Sequence, residues 1–139
     1  MSEAKIEIKV GKEKVWAALT DPGLVKKYLF GTEMVTTWKV GDPISYKGEW
    51  QGKAYHDKGV VKEFKVNERI VSSYWSGLTG LVDSPENYQE IVYELQGNEK
   101  ITSLIIIQKP SEAQKKEGTE SPNHWGVVLE SMKKLLEEG

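Results

Sequence analysis

Between residues 32 and 110 the chain alternates apolar and polar side chains in short runs, and only one later segment is long enough to cover the apolar face those runs create. Met34, Thr36 and Trp38 share one face, and Gly41-Asp42-Pro43 turns the chain. Ile44, Tyr46, Gly48 and Trp50 form the next alternating set, closed by Gln51-Gly52. The run over 54–65 contains Gly59, which predicts a bulge where the sheet bends. A polar connector over 66–69 leads to a strand over 70–75, whose inward face Ser72-Ser73 leaves open. Residues 76–87 read as loop, and strands over 88–96 and 101–109 meet at a Gly97-Asn98 turn. A period of two marks half-buried strands, and short turns make neighbours antiparallel.

The flanks add helices. A strand over 4–10 sets Ile6, Ile8 and Val10 on one face, and helical spacing then begins over 12–20. Asp21-Pro22-Gly23 stops that helix, and 24–30 form a second short one. The polar segment 110–120 reads as a mobile connector. Ser121 is the expected N-cap and Pro122 the first helical residue of the last helix. Along that helix Trp125, Val128, Leu129, Met132, Leu135 and Leu136 recur at three-and-four spacing. A meander of about seven strands has one apolar face to bury, so the sheet is expected to curl around this helix. The expected architecture is α+β, with residues 1–139 as one domain, and curvature over a rod leaves a gap where ligands bind.

Several functions are excluded by what the chain lacks. It has no Cys, which removes thiolate metal sites and agrees with a reducing compartment, so a cytoplasmic location is expected. No run approaches a membrane span or a signal peptide. Lys and Arg total 19 against 21 Asp and Glu, without a basic cluster, so nucleic acid is not an expected partner. His56 and Asp57 are neighbours on a strand and point to opposite faces. His124 falls in the first turn of the last helix, in a capping or solvated role. No metal, cofactor or catalytic residue is assigned. Asp57, Asp83, Glu86 and Glu90 lie near strand ends or the long loop, where solvated charge is the ordinary reading, and Asp83 reads as a turn residue bonding nearby backbone. Gly77-Leu78-Thr79-Gly80 is a flexible loop, since no helix start follows to cradle phosphate.

Five Trp and six Tyr accompany only two Phe. Trp and Tyr combine large apolar area with a polar tip, which suits a half-wet cavity as well as a core. The candidate ligand-binding residues are Phe30, Trp38, Tyr46, Trp50, Trp75, Tyr93, Trp125, Leu129 and Met132, Met132 supplying an adaptable wall. Leu29, Phe30 and the loop over 76–87 would flank the mouth.

Val15-Trp16-Ala17-Ala18-Leu19-Thr20-Asp21-Pro22, Tyr28-Leu29-Phe30-Gly31, the turn at Gly41, Asp57-Lys58-Gly59-Val60-Val61 and Tyr74-Trp75 follow one another at characteristic spacing. Asp83-Ser84-Pro85-Glu86-Asn87-Tyr88, Leu104 and the segment from Trp125 to Lys133 complete the series. In this order the chain resembles the START-like (birch-pollen-allergen-like, SRPBCC) superfamily. Within it the chain looks like a stand-alone member of the family of the activator of the heat-shock protein 90 ATPase. The resemblance implies the helix-grip fold, but fold does not fix function. Three readings follow. The first is non-catalytic binding of a small apolar or aromatic ligand between sheet and helix. The second is a protein-interaction module with a chaperone or other protein as partner. In the activator a further N-terminal domain contributes to chaperone binding; here the sequence starts almost at the first strand, so productive ATPase stimulation is not expected, and weak docking stays open. The third is a cyclase-like enzyme using Tyr46, Tyr93 or Asp57.

Overall fold

A computed structural model describes residues 2–29, 31–50, 52–76, 81–117 and 125–138, the side chains of Ser2, Trp50 and Lys53 excepted. Strand β1 (Ser2–Ile8) leads into helix α1 (Lys12–Thr20), which buries Val15, Trp16, Ala18 and Leu19. The break before α2 (Pro22–Tyr28) shrinks to one residue. Asp21 ends α1 and caps α2, its Oδ1 accepting from the Gly23 N–H at 2.8 Å, with Pro22 at the first helical position. The chain then runs β2 (Glu33–Thr36), β3 (Pro43–Trp50), β4 (Lys53–Lys65) and β5 (Arg69–Ser76). After a 3-10 turn at Pro85–Asn87 come β6 (Gln89–Gly97), β7 (Thr102–Lys109), α3 (Glu112–Glu117) and α4 (Trp125–Glu138).

The strands form one antiparallel seven-stranded sheet in the order β1-β7-β6-β5-β4-β3-β2. Its curvature wraps the C-terminal helix, whose Leu129 and Met132 enter the core with Ile8, Val15, Ile44, Ile70, Ile91 and Leu104. α4 packs on β1, α1 and α2. This is the α+β helix-grip architecture that the alternation and the last apolar stripe lead one to expect.

Three local expectations are corrected. The register shift in the β4–β5 ladder falls between Val61 and Glu63, beyond Gly59. Gly59 is instead a point of close approach, because a Cβ there would overlap the Ser73 carbonyl. Val60 N–H correspondingly donates to the Ser73 hydroxyl at 2.9 Å. Second, part of the segment over 110–120 is the helix α3. Ser111 caps it reciprocally: Gln114 N–H donates to Ser111 Oγ (3.2 Å), and Ser111 N–H donates to Gln114 Oε1 (2.8 Å). Third, Trp38 lies past the end of β2 with φ +60 rather than in the strand. The expected cap and start at Ser121 and Pro122, and His124, lie outside the described residues.

Candidate functional site

The antiparallel order brings the ends of β3, β5 and β7 to the same edge of the sheet as the starts of β4 and β6. On the concave face near that edge, cross-strand register aligns Tyr46 with Asp57 and Asp57 with Ser76, while Tyr74 pairs with Gln89 and Ile91 with Gln108. Period-two alternation turns these residues inward together and sends their neighbours outward. Tyr28, buried at the end of α2, joins them from above the sheet.

Their polar atoms bond largely to one another. Tyr74 Oη donates to Asp57 Oδ2 at 2.7 Å. The Tyr46 and Tyr93 hydroxyls share a hydrogen bond. Trp125 Nε1–H donates to Gln108 Oε1 at 3.1 Å, and Gln108 Nε2 donates onward to Gln89 Oε1. The Trp125 ring meets Tyr93 edge-on at 5.9 Å, tying α4 to the sheet. Asp57 Oδ1 is buried and has no partner among the described residues. No ion pair among the described residues reaches Asp57; its neighbour Lys58 pairs with Asp83 on the opposite face. Burial raises the pKa of all four phenols well above the usual tyrosine range. For Tyr74 the Asp57 carboxylate adds to the shift; for Tyr46 the Tyr93 hydrogen bond opposes it. The phenols therefore stay protonated at neutral pH.

This geometry sits inside a recognisable domain. The family described as Activator of Hsp90 ATPase homolog 1-like protein matches residues 9–137. The chain belongs to that family. A protein from Cytophaga hutchinsonii, with a solution structure, is 37% identical over 99% of this chain and 95% of its own, with a TM-score of 0.70. An HSP90 activator from Plasmodium falciparum shares the fold at TM-score 0.65, with 21% identity over 96% of this chain and 84% of its own. So does Aha1 from Colwellia psychrerythraea, solved as a dimer, at TM-score 0.66 and 23% identity over 97% of this chain and 94% of its own. None of the curated proteins matches the sequence.

Of the residues singled out from sequence in this family member, Tyr46, Tyr93 and Trp125 come together, with Leu129 and Met132 buried on α4 behind them. Trp38 does not join them. It stacks on Phe64 at 5.5 Å and donates its indole N–H to the Thr20 carbonyl at 3.0 Å. Phe64 lies at the far end of β4, about 20 Å along the strand from Asp57. Trp75 is corrected outright: paired with Lys58, it faces the convex side, stacked on Tyr88 at 6.4 Å with Lys58 Nζ 5.5 Å from its ring. Asp83 is held there by side chains, pairing with Lys58 and accepting from Tyr88 Oη at 2.6 Å, rather than bonding nearby backbone. Lys58 first, then Tyr88, hold its carboxyl below the usual range, while burial and then Asp83 push Tyr88 up to about 12. Phe30 and the Trp50 side chain lie outside the described residues.

Sequence reasoning passed over Tyr28, Tyr74, Gln89 and Gln108, and weighed Asp57 only as a catalytic alternative. The available signal was the spacing Asp57-x-Gly59 opposite Tyr74-x-Ser76, which registers a carboxylate against a hydroxyl pair. The aromatics near the expected gap pack on the core. Two open clefts, neither lined by these aromatics, lie elsewhere. One of about 330 Å³ separates β1 from α4 at Ala4, Ile6, Gly126 and Leu129, and one of about 260 Å³ lies beside Glu68, Arg69 and Glu94. Among the described residues no three His, Asp or Glu side chains assemble as a metal site, and no helix is long and apolar enough to cross a membrane.

Proposed function

We propose that this protein binds, without catalysis, a small apolar or aromatic molecule between the concave face of the sheet and α4. The observation that carries this reading is the phenolic cluster of Tyr28, Tyr46, Tyr74 and Tyr93 set in an otherwise apolar core. A dry core is stabilised by aliphatic packing and gains little from hydroxyls that must find partners indoors. Ring faces with short polar handles suit a flat guest that is held by stacking and oriented by few hydrogen bonds. Entry requires the rings to part at the edge where β3, β5 and β7 end, with Met132 giving way behind them. The protonated phenols serve as donors and acceptors rather than as bases near neutral pH, which weighs against the cyclase-like reading.

Native mass spectrometry of protein purified from its own host tests the proposal. A discrete mass that is lost on denaturation is the expected result; a clean apo mass, with no small apolar compound binding on titration, would refute it.

The family's name supports a second reading, docking on a chaperone of the Hsp90 kind. Its expected mark is a continuous exposed apolar patch. Among the described residues the exposed apolar side chains are instead distributed over several elements, Val35 on β2, Val40 in the β2–β3 turn, Val60 on β4, Val66 in the β4–β5 turn, Leu81 and Val82 before the 3-10 turn, Ile101 before β7 and Val127 on α4. Ligand binding is therefore placed first.

A further inference from the structure

Within the concave cluster, Asp57 is half-satisfied among the described residues. Oδ2 accepts from Tyr74, whereas Oδ1 is buried and receives no donor among the described residues. A buried carboxylate oxygen without a partner is costly, and native structures retain such a group where something else completes it. No protein donor is bonded to it among the described residues. The Tyr74 proton is on Oδ2, the Ser76 hydroxyl bonds to Tyr74, the Tyr46 and Tyr93 hydroxyls share one hydrogen bond between them, and Lys58 is bound to Asp83 across the sheet. Around the empty acceptor stand the ring of Tyr46, directly across the ladder, and the small side chain of Ser76 on the other flank.

We infer that the ligand carries a hydrogen-bond donor, an O–H or N–H at the end of an aromatic or apolar body, and that Asp57 Oδ1 accepts from it. This rests on the ligand-binding reading above and narrows it to a chemical class: phenols, hydroxylated polycycles or aromatic amines, rather than their ethers, esters or hydrocarbons. A site with a buried acceptor discriminates strongly, because an analogue lacking the donor leaves that acceptor desolvated and unpaired. An all-apolar pocket distinguishes such analogues only weakly.

The probes are 2-naphthol and its methyl ether, 2-methoxynaphthalene, which share one ring system and differ in the donor. Binding is followed by quenching of intrinsic tryptophan fluorescence and by calorimetry. Wild-type protein is expected to bind the naphthol at least about tenfold more tightly than the ether. In Asp57→Asn the amide oxygen stays toward the Tyr74 hydroxyl, so the amide N–H₂ occupies the Oδ1 position and can only donate, which the naphthol oxygen and the ether oxygen accept alike. The preference should then vanish or reverse. Equal affinities in the wild type would overturn the donor inference while leaving an apolar binder. A naphthol preference that persists in Asp57→Asn would overturn Asp57 as the acceptor. Failure of both probes to bind up to their solubility would remove the ligand-binding reading and this inference together. The wild-type comparison does not depend on the variant, so the inference stays refutable even if Asp57→Asn fails to fold.

Discussion

Tyr93 holds two contacts at once: its hydroxyl bonds to Tyr46 and its ring receives the edge of Trp125. Tyr93→Phe keeps the ring contact and removes only the hydroxyl, leaving the Tyr46 hydroxyl buried without its partner. A loss of about 1–3 kcal/mol is expected, read from the urea midpoint at unchanged slope; unchanged stability would mean that Tyr46 bonds elsewhere. Trp125→Ala removes the ring contact and the donor to Gln108 together. Because Trp125 is only partly buried, the cost should fall at the lower end of the roughly 3–5 kcal/mol typical of Trp deletions, and ligand uptake should be lost with it. Wild-type stability in this variant would separate α4 from the site.

Where elements meet, two glycines make opposite demands. Gly59 lets β5 come so near β4 that any Cβ would strike the Ser73 carbonyl, whereas a Cβ at Gly126 on α4 meets nothing within 4 Å. Gly59→Ala should therefore destabilise by about 1–3 kcal/mol through overpacking, and Gly126→Ala should stabilise by up to about 1 kcal/mol through helix propensity. Thermal melts of the pair check both signs, and a neutral Gly59→Ala would show that the β4–β5 junction can relax. The same junction explains what could be read beforehand. Strands with one wet face announce themselves by alternation, as in β7, where Thr102, Leu104 and Ile106 are buried and their neighbours are not. In β5, Ile70, Val71, Ser72 and Ser73 are all buried, so alternation carries no direction, and Trp75 lies on the convex side rather than at the ligand face. Trp38 departs from its expected strand position because a positive φ ends the strand pattern early. α3 had a visible start in Ser111-x-x-Gln114, but its polar surroundings offered no apolar stripe to confirm a helix. The phenolic cluster was half legible, since Tyr46 and Tyr93 alternate inward on their own strands. Tyr28 and Tyr74 join only through register and the packing of α2, which local spacing does not encode.

Across the whole molecule, the four phenols belong to four different elements: Tyr28 to α2, Tyr46 to β3, Tyr74 to β5 and Tyr93 to β6. Burial raises the pKa of each in the folded state, while an unfolded chain ionises them near the ordinary value of about 10. The sign follows directly. Below pH 10 both states keep the protons and the contribution to stability is intact. Above it the unfolded chain loses protons that the folded chain retains, so stability falls as pH rises. Because the phenols join the helix layer to the middle of the sheet, they cannot ionise by fraying one element. Phenolate absorbance from these four should therefore lag the ordinary tyrosine titration and appear together with the loss of far-ultraviolet circular dichroism in one cooperative alkaline step. Tyr93→Phe should weaken that coupling and make the step less steep. Smooth ionisation of all six tyrosines near pH 10 with the fold intact would mean that water reaches the cluster, and that the grip is already open where a ligand would enter.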